Sequence, residues 1–208
     1  MELKYFTKGN TKTINQDRYK YEYIDDILFV VVADGMGGLM FGEIAAQTAT
    51  ETIMEYLKAN YCKGEEKQLL YKSLEEADNR IREIGLQYKS KMGTAIVAAI
   101  ILKNTIFYTW QGNVRVYLKG KSLIQLTEDH IADIGYGKTG LTRCLKGAGL
   151  RDDIPFNDCP ISKNEEIIIC TDGAYSLFSD NKPELSIEFF ENLTDELEDD
   201  CTIISIST

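Results

Sequence analysis

Residues 94–126 read TAIVAAIILKNTIFYTWQGNVRVYLKGKSLIQL. Four short runs rich in β-branched and aromatic residues stand out: 94–102, 105–110, 114–118 and 122–126. Asn104, Gly112 and Gly120 fall between them at the spacing of tight turns, so the stretch predicts a β-meander. Upstream, ILFVVVA at 27–33 follows RYKYEYI at 18–24 closely enough for a hairpin across Asp25 and Asp26. Between these blocks the apolar period changes to that of a helix. Ala45, Ala49, Ile53 and Tyr56 form one stripe over 42–60, and Leu70, Leu74, Ala77, Ile81, Ile84 and Tyr88 another over 66–88. Downstream come DDIPF at 152–156, EIIIC at 166–170, one or two short helices and a last strand at 201–207. Strands in runs and helices in pairs predict an α+β fold of antiparallel sheets, with helices layered on them, and not alternating βαβ units.

The 208 residues are enough for one sizeable core, and a single domain over 1–208 is expected. Acidic residues outnumber basic ones by 33 to 23, a formal charge of −10, which disfavours nucleic acid or an anionic membrane as partner. Cys62, Cys144, Cys159, Cys170 and Cys201 are scattered without zinc-ligand spacing. Their odd number, with no apolar leader in MELKYFTKGN, predicts reduced thiols and a cytoplasmic protein.

Two strands end alike. VVVADGMGG at 30–38 stops on Asp34-Gly35 and IIICTDGAY at 167–175 on Asp172-Gly173, while Asp199 and Asp200 immediately precede the last strand. If that strand runs antiparallel to either of the others, Asp34, Asp172 and Asp199 converge at one rim. Ionised carboxylates so gathered raise one another's pKa unless cations lie between them. Hard oxygen ligands suit Mg²⁺ or Mn²⁺, and the carbonyl of Gly35 is a further candidate. A single Asp-Gly after a strand is an ordinary turn signal; two of them with a terminal Asp-Asp are harder to dismiss.

Other motifs compete. ADIGYGKT at 132–139 matches a loose phosphate-loop pattern, but LTEDHI precedes it and Gly140 makes a poor helix start, so a plain loop is expected. CLKGAGLR at 144–151 has six residues between Cys144 and Arg151 where a cysteine-phosphatase loop needs five. His130 is the only histidine, which leaves no His pair or Ser-His arrangement, and it is read as structural.

Taken in order, NQD (15–17), VVADGMGG (31–38), GEIAA (42–46), MGTA (92–95), LTEDH (126–130), LTRCLKG (141–147), CTDG (170–173) and DDCT (199–202) resemble the metal-dependent type 2C protein serine/threonine phosphatases, in the bacterial style. The blocks cover about residues 9–206. The resemblance implies a four-layer αββα sandwich, two antiparallel sheets flanked by helix pairs. It also implies hydrolysis of phosphoserine and phosphothreonine by water activated between two Mn²⁺ or Mg²⁺ ions, with no protein nucleophile. Asp34 would bridge the ions, Gly35 would contribute its carbonyl, Asp172 and Asp199 would complete one shell, and Asp17 would hold metal-bound waters. Asp34 and Asp172 are then the catalytic carboxylates. Asp200 stands where the family usually has Asn, which favours Asp199 as the ligand.

The chain departs from the pattern in four places. Lys12 replaces the Arg that holds the substrate phosphate, without its bidentate fork. Asn113 replaces an Asp that helps hold a third ion and puts that ion in doubt. The segment from His130 to Leu141 is shorter than the usual flap, and Met36 takes the place of a eukaryotic His, as is common in bacterial members. The implied partner is a phosphoprotein, a Ser/Thr kinase or its targets, met by a monomer. Lys12, Asn113 and the short flap leave one alternative, a pseudophosphatase serving as a binding or regulatory module.

Overall fold

The computed structural model describes residues 1–207 except 37, 38, 136, 137, 152, 179–184 and 195, together with the side chain at 138. In chain order the elements are β1 (Glu2–Lys8), β2 (Arg18–Ile24), β3 (Ile27–Gly35), α1 (Gly42–Asn60), α2 (Glu66–Tyr88), β4 (Thr94–Leu102), β5 (Thr105–Gln111), β6 (Arg115–Lys119), β7 (Leu123–Gln125), β8 (Ile131–Gly135), β9 (Lys138–Leu141), β10 (Phe156–Pro160), β11 (Glu166–Cys170), α3 (Asp172–Tyr175), α4 (Ile187–Glu191) and β12 (Cys201–Ser207). One five-stranded sheet has the order β1-β12-β11-β6-β7, and the other β10-β5-β4-β3-β2. Every pairing between neighbouring strands is antiparallel.

Strand periodicity explains the layers. On β3, Phe29, Val31 and Ala33 pack under α1 and α2, while Leu28, Val30 and Val32 face the opposite sheet. Both faces are buried, so the run is continuously apolar and does not alternate. β11 does the same for the second sheet. Ile167 and Ile169 join the core between the sheets, and Ile168 and Cys170 face outward beneath α4 and Leu197. The layers are therefore helix pair, sheet, sheet and, among the described residues, two short helices. No described helix is long and apolar enough to cross a membrane.

Both long helices and β4, β11 and β12 take the bounds expected from sequence. The structure departs from expectation at four points. β1 was not anticipated. The strand sought at 152–156 begins only at Phe156 and runs to Pro160, and residue 152 lies outside the described residues. The predicted meander is two hairpins in different sheets: β4 and β5 pair in one, β6 and β7 in the other. The chain changes sheet at Gly112, whose φ is 107° and whose added Cβ would lie 2.4 Å from the Cβ of Ala95. Only glycine tolerates that turn and that approach.

The loop expected at 132–139 contains β8 and β9, paired as a hairpin, with residues 136 and 137 outside the described set. A strand stands where a phosphate loop requires a helix, so ADIGYGKT lacks that architecture.

Candidate metal centre

The antiparallel pairing of β11 with β12 brings the end of one strand beside the start of the other. Cys170 opposes Ile203, and the Thr171 N–H donates to the Thr202 carbonyl at 3.0 Å. Asp172 therefore sits next to Asp199 and Asp200. Asp34 arrives from the other sheet, at the end of β3, where it pairs with Ala95 and its carbonyl accepts from Thr94 Oγ1 at 2.7 Å. Asp34, Gly35, Asp172, Asp199 and Asp200 line one cleft of about 300 Å³, with Gln16 and Asn113 beside them and Thr139 to Leu141 of β9 along its rim.

Both Asp-Gly pairs are required by close approach. A Cβ on Gly35 would lie 2.5 Å from the backbone carbon of Gly42, where α1 begins. A Cβ on Gly173 would lie 2.1 Å from the Asp200 carbonyl oxygen. Glycine lets α1 and the start of β12 press against the two aspartate-bearing strand ends. Residues 37 and 38, the other two glycines of VVVADGMGG, lie outside the described residues.

The carboxyl groups are held under mutual stress. Burial pushes Asp34 well above the ordinary carboxylate range. The charges of Asp17, Asp172 and Asp199, then a hydrogen bond shared with Asp172, add to the rise. Asp199 is raised mainly by desolvation, opposed by the Asp200 N–H that donates to its Oδ1 at 2.9 Å. Asp17 is pushed up to about 7, chiefly by burial and against the lowering effect of Thr171. Thr171 Oγ1 donates to Asp17 Oδ2 at 2.8 Å, while Asp17 Oδ1 is buried without a partner.

Asn113 Nδ2 donates to Asp172 Oδ2 at 3.0 Å, and Asn113 Oδ1 is a second buried orphan. Buried acceptors without donors cost free energy, and a divalent cation or its waters would satisfy them. The donor set is all oxygen and mostly anionic, which fits Mg²⁺ or Mn²⁺. Among the described residues no three acidic, histidine or cysteine side chains are closed to coordination distance.

Asp200 has a different role. Its Oδ1 accepts from the backbone N–H and the side-chain Nδ2 of Asn10 at 2.9 and 2.8 Å, and its Oδ2 from the Gln16 N–H at 2.7 Å. Both oxygens are occupied in tying the 10–16 loop to the site, a function that sequence did not reveal. Lys12 lies exposed on that loop, its N–H donating to Asn10 Oδ1 at 2.8 Å, and it does not line the cleft. His130 is outside the cleft. Its Nδ1 accepts from the Gly112 N–H at 3.1 Å, and its ring stacks on Trp110 with centroids 6.0 Å apart. Burial raises the Cys144 thiol, the opposite of what a nucleophile needs.

Residues 9–202 match the family model described as protein phosphatase 2C. The serine/threonine phosphatase stp of Listeria welshimeri is 26% identical over 201 residues, covering 85% of this chain and 79% of that one. Two crystal structures share the fold. The serine/threonine phosphatase Stp1 from Staphylococcus aureus has a TM-score of 0.84 at 18% identity, over 100% of this chain and 94% of that one. The Mycobacterium tuberculosis serine/threonine phosphatase PstP/Ppp has 0.79 at 19%, over 98% and 97%.

Proposed function

The chain belongs to the protein phosphatase 2C family, whose members are protein serine/threonine phosphatases, and from that premise we propose that it hydrolyses phosphoserine and phosphothreonine at a two-metal centre. The observation that carries the reading is the convergence of Asp34, Asp172 and Asp199 on one open cleft, where desolvation and three neighbouring aspartates push the half-buried Asp34 carboxyl up. Such an arrangement is costly unless cations offset it.

Asp34, Gly35, Asp172 and Asp199 would hold the ions, and Asp17 would hold their waters. Bound Mn²⁺ or Mg²⁺ supplies an acidified water and positive charge for the phosphoryl oxygens. Asn113 orients Asp172 through its amide, and Thr171 fixes Asp17 against β12. Asp200 holds the loop that carries Lys12, whose ammonium would take the phosphate of a bound substrate. Water adds to phosphorus, and the serine or threonine oxygen leaves with a proton. Thr139 to Leu141 of β9 form the rim over which a phosphoprotein would enter.

The proposal includes one domain acting as a monomer in the cytoplasm on a kinase or its targets. Among the described residues the five cysteines are free, in keeping with a reducing compartment. A silent, binding-only version rests on Asn113 standing where the family carries a ligand carboxylate.

The deciding assay is release of phosphate from a phosphothreonine peptide with Mn²⁺, with Mg²⁺ and with chelator. Asp172→Asn serves as the control. Metal-dependent turnover, reduced at least about 100-fold by the substitution, is expected. Folded protein that binds Mn²⁺ yet releases no phosphate establishes the silent reading.

A further inference from the structure

On the far side of the cleft wall lies a second groove of about 470 Å³, at the end of α2. Arg82, Lys89, Lys91 and Lys146 line it, and no carboxylate does. Its floor is apolar, made by buried Ile81 and Met92, and Leu86 stands 73% exposed at its edge. In a chain of net charge −10, four cations around an apolar floor form a local reversal of sign.

The groove is built and not adventitious. Asp78, buried on α2, accepts from the N–H groups of Lys146, Gly147 and Gly149 at 2.9, 2.8 and 2.8 Å, which fastens the 146–149 loop to the helix. Among the described residues, Lys89, Lys91 and Lys146 make no ion pair. Their charge is therefore uncommitted.

Gly93 links the two sites. Its carbonyl accepts from the N–H of Met36, which lines the metal cleft, at 3.0 Å. A Cβ placed on Gly93 would lie 2.9 Å from Met36 Sδ and 3.3 Å from Lys146 Cβ. One glycine thus separates a wall of the cleft from a wall of the groove, a span that a few residues of extended chain cover at about 3.3 Å each.

We propose that this groove docks an acidic segment of the substrate, close in sequence to the phosphorylated residue held in the cleft. The inference rests on the phosphatase reading above and adds a substrate class to it. The concave shape and apolar floor suit a peptide with carboxylates and an apolar side chain. An extended anionic surface would also meet the acidic remainder of the molecule.

The test uses the whole protein and two phosphothreonine peptides that differ only in carrying Glu and Asp, or Gln and Asn, beside the phosphoresidue. An aryl phosphate without flanks and the anisotropy of an unphosphorylated acidic peptide complete the set. We expect kcat/KM about tenfold higher for the acidic peptide, carried by KM and lost in high salt. The triple variant Lys89→Glu, Lys91→Glu, Lys146→Glu should abolish that preference and the anisotropy signal. Lys89→Gln with Lys146→Gln should reduce both partway, a graded response that misfolding would not produce.

Equal kcat/KM for the two peptides overturns the inference while leaving the phosphatase reading intact. If no phosphate ester, the aryl phosphate included, is hydrolysed, the phosphatase reading fails and the anisotropy alone decides the groove. Binding of anionic lipid vesicles with the same dependence on the lysines overturns the peptide in favour of a membrane surface.

Discussion

The amide of Asn113 donates to Oδ2 of Asp172 at 3.0 Å, which places a neutral donor against a carboxylate in the middle of the acidic cleft. Replacing it by Asn113→Asp exchanges an attraction for a like-charge contact. Without metal the variant is expected to be less stable by about 1–3 kcal/mol, and Mn²⁺ should stabilise it more than it stabilises the wild type. Thermal melts across a Mn²⁺ titration check this. An unchanged metal response would remove Asn113 from the ion-binding rim.

Thr171 holds Asp17 from the opposite sheet, accepting the Thr202 N–H at 3.0 Å while donating to Asp17 Oδ2 at 2.8 Å. Thr171→Val removes the hydroxyl that donates to a buried carboxyl and leaves Thr202 as the remaining side-chain donor to Asp17. A loss of about 1–3 kcal/mol in urea denaturation is expected. Phosphopeptide turnover should fall with it, because Asp17 is no longer held beside Asp34. Thr171→Ser keeps the hydroxyl and should restore most of both.

Gly112→Ala tests the sheet change. The added methyl meets the Cβ of Ala95 at 2.4 Å on a backbone with φ of 107°. Destabilisation of about 3 kcal/mol or more is expected, since strain and overpacking act together. A melting temperature within a degree of wild type would show that the crossing has room the packing denies.

His130 should make stability pH-dependent. Burial, then the charge of Arg143, lowers its pKa below 6.5, against the raising effect of Glu128, Asp129 and Asp153. Its Nδ1 can accept the Gly112 N–H only while unprotonated. The unfolded chain therefore binds more protons below about pH 6.5, and stability is lost as pH falls through that value. Asp17 acts in the opposite sense: its raised pKa favours the folded state at low pH, and that contribution is lost as pH rises toward about 7. The clean measurement is the difference in urea midpoint between wild type and His130→Gln at pH 7.5 and pH 5.5. The variant should lose less stability on acidification than the wild type does.

Helices were the most legible part of the chain. Ala45, Ala49 and Ile53 on α1 and Leu70, Leu74, Ala77 and Ile81 on α2 occupy the buried face that their spacing predicts. Tyr88, last of the second stripe, is half exposed, with its ring against Phe41. β1 was missed: its ELKYFTK has a polar outer face and lies at a sheet edge, where little burial is required. Asp200 was passed over because its value comes from Asn10 and Gln16, some 190 positions away in the chain.

By itself the amino-acid sequence determined which residues must leave water and with what period, hence the strands, the helix pair and the carboxylates waiting at strand ends. Those properties are local, set by side-chain chemistry within a few residues. Only the tertiary structure decided which sheet each strand joins, and so which carboxylates meet. Gly112 carries the chain from one sheet to the other, which sets Asp34 of β3 against Asp172, just past β11, and Asp199, just before β12, across the sandwich. A glycine in a hairpin and a glycine crossing between layers look alike in sequence. They differ in the distant backbone that presses against them, here Ala95, and that is a property of the folded whole.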